Sequence, residues 1–146
     1  MNANQTAKKK YKYLIGIDPG THTGLAVYDT EEGKLIEVST LRIFDAFTRI
    51  YFYRIFGDIL LRVEDPNTWK PFRNSNHYSK IQGAGSIKRD FAIWKSFADE
   101  NHIDFEGVSL YKTLKKLNSA TFRQLTKWEG RTSSHARDAA MLCFGY

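Results

Sequence analysis

Apolar and polar residues along the chain fall into blocks whose period switches between two and about 3.6, the periods of strands and helices. Residues 1–12 (MNANQTAKKKYK) have no apolar period and predict a flexible basic arm. Tyr13-Leu14-Ile15-Gly16-Ile17-Asp18 is an apolar run stopped by the turn signal Pro19-Gly20, and Gly24 to Tyr28 predicts its antiparallel return. After the turn Thr30 to Gly33, the weakly alternating stretch Lys34 to Arg42 extends this hairpin to a third strand. Apolar positions 43, 47 and 50 then predict a helix from Ile43 to Phe56, stopped by Gly57. Asp58 to Glu64 is a compact strand halted at Asp65-Pro66. Residues 67–79 are a polar and aromatic loop, and Gln82 to Glu100 returns to a helical period with Ile87, Phe91, Trp94 and Ala98 on one stripe. A fifth strand over Ile103 to Leu110 and two helices, Ser119 to Trp128 and Ser133 to Phe144, complete a chain without internal repeat or linker. Residues 13–146 are therefore expected to form a single α/β domain.

Charge changes this picture more than composition does. The net charge of +6 suggests a polyanionic partner only weakly, but its distribution is informative. Residues 69–95 carry six Lys/Arg against one acid, as do residues 112–131, while residues 13–68 carry nine acids against five bases. An acidic centre between basic segments suits an enzyme that holds metal ions and grips a nucleic acid. The single cysteine, Cys143, excludes an internal disulfide and a cysteine-based zinc site, which suggests a reducing compartment. No stretch approaches the length of a membrane span, and no signal-peptide core follows Lys8-Lys9-Lys10, so the cytoplasm of a bacterial or phage-infected cell is expected.

Two acids sit where strands stop. Asp18 follows an apolar strand and precedes Pro19-Gly20, and Glu64 holds the same position before Asp65-Pro66. If the helix between them is a right-handed crossover, their strands are parallel neighbours and both carboxylates emerge side by side. Close carboxylates repel, and a hard divalent cation with oxygen ligands, magnesium by default, is the usual remedy. A third acid, Asp138, lies in His135-Ala136-Arg137-Asp138-Ala139-Ala140, whose alanines allow a helix to approach the sheet closely, with His135 three residues earlier on the same face. Taken singly, each acid also fits a plainer role, as a turn residue or a solvated helix group.

The run Ile15-Gly16-Ile17-Asp18-Pro19-Gly20-Thr21-His22-Thr23-Gly24 resembles the opening motif of RuvC-type Holliday-junction resolvases of the RNase H-like superfamily. Val63-Glu64 resembles their second motif and His135 to Ala140 their closing helix, in the same order and spacing. The resemblance implies an RNase H-like mixed five-stranded sheet, its first three strands antiparallel, flanked by helices. It implies a homodimeric endonuclease of DNA recombination and repair that resolves four-way junctions by paired nicks. Two Mg²⁺ ions, replaceable by Mn²⁺, would be held by Asp18, Glu64, Asp138 and His135, with Asp18 bridging both, and two such ions act roughly 3.5 to 4 Å apart. His135 stands where many members have a fourth carboxylate and others a histidine; a helix-start histidine contacting only backbone is the alternative. The family's lysines near the fifth strand are matched only loosely by Lys112, Lys115 and Lys116.

For DNA contact, Trp69, Lys70, Phe72, Arg73 and Lys80 mix aromatics with bases just after Glu64, with Lys88 and Arg89 following. Trp69 and Phe72 equally suit packing onto the core. Gly83-Ala84-Gly85-Ser86 offers amides to a phosphate if it opens a helix, but it lacks the Gly-Lys-Ser/Thr ending of a nucleotide loop. The stripe Ile87, Phe91, Trp94 and Ala98 is either core or, by resemblance, part of a dimer interface. Asp18-Pro19-Gly20-Thr21 also fits the phosphate turn of sugar-kinase and actin-like ATPases, but 146 residues leave no room for their second domain. No nucleotide cofactor is expected. Cleavage of flaps, branched DNA or RNA-DNA hybrids, or DNA binding without catalysis on the same fold, are the remaining readings.

Overall fold

A computed structural model of the chain describes residues 10–66, 77–110 and 114–146, with residues 77–84 described by backbone alone. Its centre is β1 (Tyr13–Asp18), which pairs antiparallel with β2 (Thr23–Asp29) on one side and parallel with β4 (Ile59–Glu64) on the other. β3 (Lys34–Leu41) runs antiparallel to β2, and β5 (Asp104–Val108) runs parallel to β4. The sheet order is therefore β3-β2-β1-β4-β5, a mixed sheet whose first three strands form an antiparallel meander. The β2–β3 turn closes on Gly33, whose φ of 66° favours glycine, while Asp29 accepts the amides of Glu31 and Glu32.

Helices cover both faces. α1 (Ile43–Phe56) and α2 (His77–Glu100) lie on one, α3 (Ser119–Thr126) and α4 (Ser134–Met141) on the other. Period-two alternation assigns the side chains of β1: Tyr13, Ile15 and Ile17 join the core under α1 and α2, whereas Leu14 joins the core under α4. In β4, Ile59, Leu61 and Val63 share the first core and Leu60 the second. Even positions of both strands thus face α4, and those positions include Gly16, Asp18, Arg62 and Glu64. Buried Arg62 donates to the Leu142 carbonyl at 2.6 Å, pairs with Glu106 and stacks on Tyr146, so it ties the tail after α4 to the sheet.

Several expectations are corrected here. Tyr11 and Lys12 are not a flexible arm: the Tyr11 hydroxyl donates to Asp104 at 2.7 Å, and Lys12 bonds Asp58 through its amide and Glu31 through its ammonium. α2 starts at His77 rather than Gln82, because the polar turn before the apolar stripe is helical too. Gly83-Ala84-Gly85-Ser86 consequently lies inside the helix, where its amides serve the helical ladder and not a phosphate. α4 ends at Met141 rather than Phe144, and α3 ends at Thr126, with Lys127 in a left-handed conformation as its C-cap. Three of the four stripe residues on α2 meet the core, Trp94 and Ala98 wholly buried and Phe91 packed against the same cluster, while Ile87 is half-buried. Among the described residues, no helix is long and apolar enough to cross a membrane.

Candidate active site

The parallel register pairs Ile17 with Val63, so Asp18 and Glu64, each one residue further on, leave adjacent strand ends on the face that α4 covers. Their side chains are only 13% and 10% exposed. The turn between β1 and β2 is closed by the buried Thr23 hydroxyl donating to the Gly20 carbonyl at 3.1 Å.

α4 brings the remaining groups. Ser133 caps it by accepting the Ala136 amide at 3.1 Å, and its hydroxyl also bonds Thr40 at the end of β3. The helix then lies almost directly on backbone. A Cβ on Gly16 would stand 1.9 Å from the Ala139 carbonyl oxygen, and one on Gly24 would stand 2.1 Å from that of His135. Ala136, Ala139 and Ala140 complete the contact with exposures of 1%, 0% and 0%. Glycine in two neighbouring strands and alanine on the helix together allow an approach that larger side chains would prevent.

This proximity gathers the four predicted groups. His135 Nδ1 lies 2.9 Å from Asp18 Oδ2, while Asp138 Oδ1 accepts the backbone amide of Lys116 at 2.9 Å. The Lys115 ammonium is 2.6 Å from Glu64 Oε1. Burial pushes the Asp18 carboxyl up to about 6; the His135 hydrogen bond opposes the shift, and the charges of Glu64 and Asp138 add to it. Asp18 therefore feels both other acids.

Among the described residues, no three Asp, Glu, His or Cys side chains already enclose a metal-sized space. The acids are engaged instead by cations and donors of the chain itself: Lys115 on Glu64, His135 on Asp18 and the Lys116 amide on Asp138. Three carboxylates with one imidazole nonetheless form a donor set suited to a hard divalent ion, and burial, with the charges of Glu64 and Asp138 adding to it, disfavours the charged form of Asp18.

The basic residues divide. Lys115 and Lys116 meet the carboxylates, whereas exposed Lys88 and Arg89 lie on α2, across the sheet from them, and Arg89 bonds Ser86 at 3.1 Å. Trp69, Lys70, Phe72, Arg73 and Lys112 fall outside the described residues, as does the side chain of Lys80. Sequence reasoning overlooked Arg137. Its guanidinium donates to the Leu117 carbonyl at 2.6 Å and to the carbonyl and hydroxyl of Thr132 at 3.0 and 2.9 Å, pinning both ends of the α3 segment to the helix that carries Asp138. It had also missed Gly16 and Gly24 as contact points, although a glycine inside an apolar strand signals a close backbone approach.

No protein-family model matches the chain, and a search of curated proteins found no match.

Proposed function

We propose that the chain is a metal-dependent endonuclease of the RNase H-like, RuvC type, acting on four-way DNA junctions. One observation carries the reading: Asp18 and Glu64 stand at adjacent strand ends, with Asp138 and His135 on a helix laid against them, and burial, with the charges of Glu64 and Asp138 adding to it, raises the Asp18 carboxyl to about 6. Such a cluster suits Mg²⁺ or Mn²⁺, which Asp18, Glu64, Asp138 and His135 would hold. Bound metal would supply an activated water and stabilise the leaving oxygen of a phosphodiester.

The chain's own groups do the rest. Asp18, set between Glu64 and α4, would hold metal ions at the edge of the sheet. His135 orients the Asp18 carboxylate through its Nδ1 hydrogen bond and could join the ligands of such an ion if that bond were exchanged. Lys115 balances the charge of Glu64 and would be available to neutralise phosphate charge if that carboxylate ligated a metal. The test uses purified protein with labelled four-way junction, linear duplex, flap and RNA-DNA hybrid, each in Mg²⁺, Mn²⁺ or EDTA. Paired nicks in the junction that need metal are expected. Full cutting in EDTA would sink the mechanism, preference for the flap or hybrid would move the substrate, and binding without cutting would leave a DNA-binding module.

The same reading includes a homodimer, and an exposed apolar face supports it. Phe44 and Ile55 on α1 are 76% and 78% exposed, with Tyr51, Phe52 and Phe56 beside them and Ile93 of α2 across a shallow groove floored by Phe47 and Phe97. Six large apolar side chains offer on the order of 600 Å², near the ~800 Å² per partner of a standard interface and above the few hundred that monomers usually expose. Sedimentation should give a dimer at micromolar concentration and a folded monomer for Ile55→Asp. A monomeric wild type would remove the dimer.

A further inference from the structure

We infer that the α3 segment forms a second nucleic-acid contact, a notch that takes one phosphodiester unit of the strand beside the cleavage site. It rests on the nuclease reading above. The notch has a volume of about 200 Å³ between α3 and the connection to α4, with Phe122 and Trp128 as its apolar lining, Ser119 and Thr132 hydroxyls, and the guanidinium-bearing Arg123 and Arg131. Phe122 is 1% exposed and fixed in the core under α4, so the lining is rigid, whereas both arginines are exposed.

Three features favour a phosphodiester over another ligand. First, the charge is predominantly positive: Arg123, Lys127 and Arg131 stand against Glu129 between residues 119 and 131. Second, the aromatic and the bases alternate, so that cation and ring meet the phosphate and the sugar or base of one nucleotide. Gly130 lies against the Trp128 indole, where a Cβ would come 2.9 Å from Nε1, which seats the ring under the connection. Third, the notch is tied to the carboxylates at both ends. Before it, Lys115 and the Lys116 amide engage Glu64 and Asp138; after it, Thr132 and Ser133 lead into α4; and Arg137 clamps Leu117 to Thr132. A strand seated in the notch is therefore held in fixed relation to Asp138. A notch of this size admits one unit of a strand and excludes the width of a duplex.

The experiment measures binding of labelled four-way junction in Ca²⁺ across a salt series, for wild type and for the double variant Arg123→Ala/Arg131→Ala. Losing the cations around that one phosphate should weaken binding at least tenfold and make the slope of log K against log salt shallower by nearly one. The pair Lys34→Ala/Lys95→Ala, exposed cations at the β2–β3 turn and on α2, should leave the slope near the wild-type value. Trp128→Leu should weaken binding several-fold with little change in slope, since stacking carries no counterions. Unchanged affinity and slope in the arginine double variant, with a wild-type melting curve, would overturn the notch while leaving the nuclease reading intact. Equal losses in both double variants would show nonspecific charge and overturn it as well. If wild type binds no DNA, both readings fail together.

Discussion

Asp18→Asn is expected to abolish cleavage while leaving junction binding intact, and at the same time to make the metal-free protein more stable. The loss should be a thousandfold or more, about 4 kcal/mol on the barrier, because in the proposed mechanism Asp18 would be a principal ligand of the metal. The gain follows from the pKa. Asp18 titrates near 6 in the fold, above the ordinary carboxylate value of 3.8 that it has when unfolded. Between those two pH values the folded state binds more protons than the unfolded one, so on this account stability falls as pH rises. Above about pH 6 the penalty is fully present, on the order of 2 kcal/mol; below the unfolded value it is absent. Asparagine carries no such penalty. In EDTA at pH 7.5 the variant should melt roughly 5 °C higher than wild type, with the difference vanishing near pH 4. Mg²⁺ should raise the melting temperature of wild type and not of the variant. Equal melting curves in EDTA would show that burial and the neighbouring acids do not penalise the Asp18 charge, and undiminished cutting would remove Asp18 from the chemistry.

The second large effect concerns two glycines of one motif. Gly20 follows Asp18-Pro19 and looks the more constrained in sequence, yet a Cβ there meets nothing nearer than 3.5 Å. At Gly24 the same Cβ would lie 2.1 Å from the His135 carbonyl oxygen and 3.1 Å from the Asp18 Cβ. That oxygen is backbone in a capped helix and has no rotamer to move to, so α4 must back away by about an ångström. Gly24→Ala should therefore destabilise by about 2 to 4 kcal/mol and, since His135 and Asp138 retreat with the helix, reduce metal-dependent cleavage about a hundredfold. Gly20→Ala should remain close to wild type in both. Thermal melts and single-turnover cleavage measured side by side separate the pair; similar behaviour of the two variants would show that the helix-sheet gap tolerates a methyl group.

Much of the fold was legible because strands and helices here differ in period. The run 13–18 and its parallel neighbour at 59–64 carry apolar side chains on both faces, as befits the centre of a sheet covered on both sides, and two of the three acids close them. The first turn of α2 was hidden because His77 to Lys80 carry almost no apolar signal. α4 was drawn too long because Leu142, Cys143 and Phe144 keep an apolar pattern after the regular helix has ended. What the sequence concealed about the site were contacts made by backbone or from loops: the Lys116 amide on Asp138, the Lys115 ion pair with Glu64, and the Arg137 clamp on two carbonyls. None of these has a residue-type signature, since a carbonyl belongs to every residue.

The alternation along β1 has a consequence for how the chain can change. Its odd positions, Tyr13, Ile15 and Ile17, fill space and are interchangeable with other side chains of similar bulk, since cores accept volume-conserving exchange. Its even positions obey a different grammar: 16 admits no side chain at all, and 18 admits only its carboxylate if the site is to work. Two texts are interleaved in six residues, one free to drift and one held fixed, so divergent copies of this strand would keep the second while losing most recognisable identity in the first.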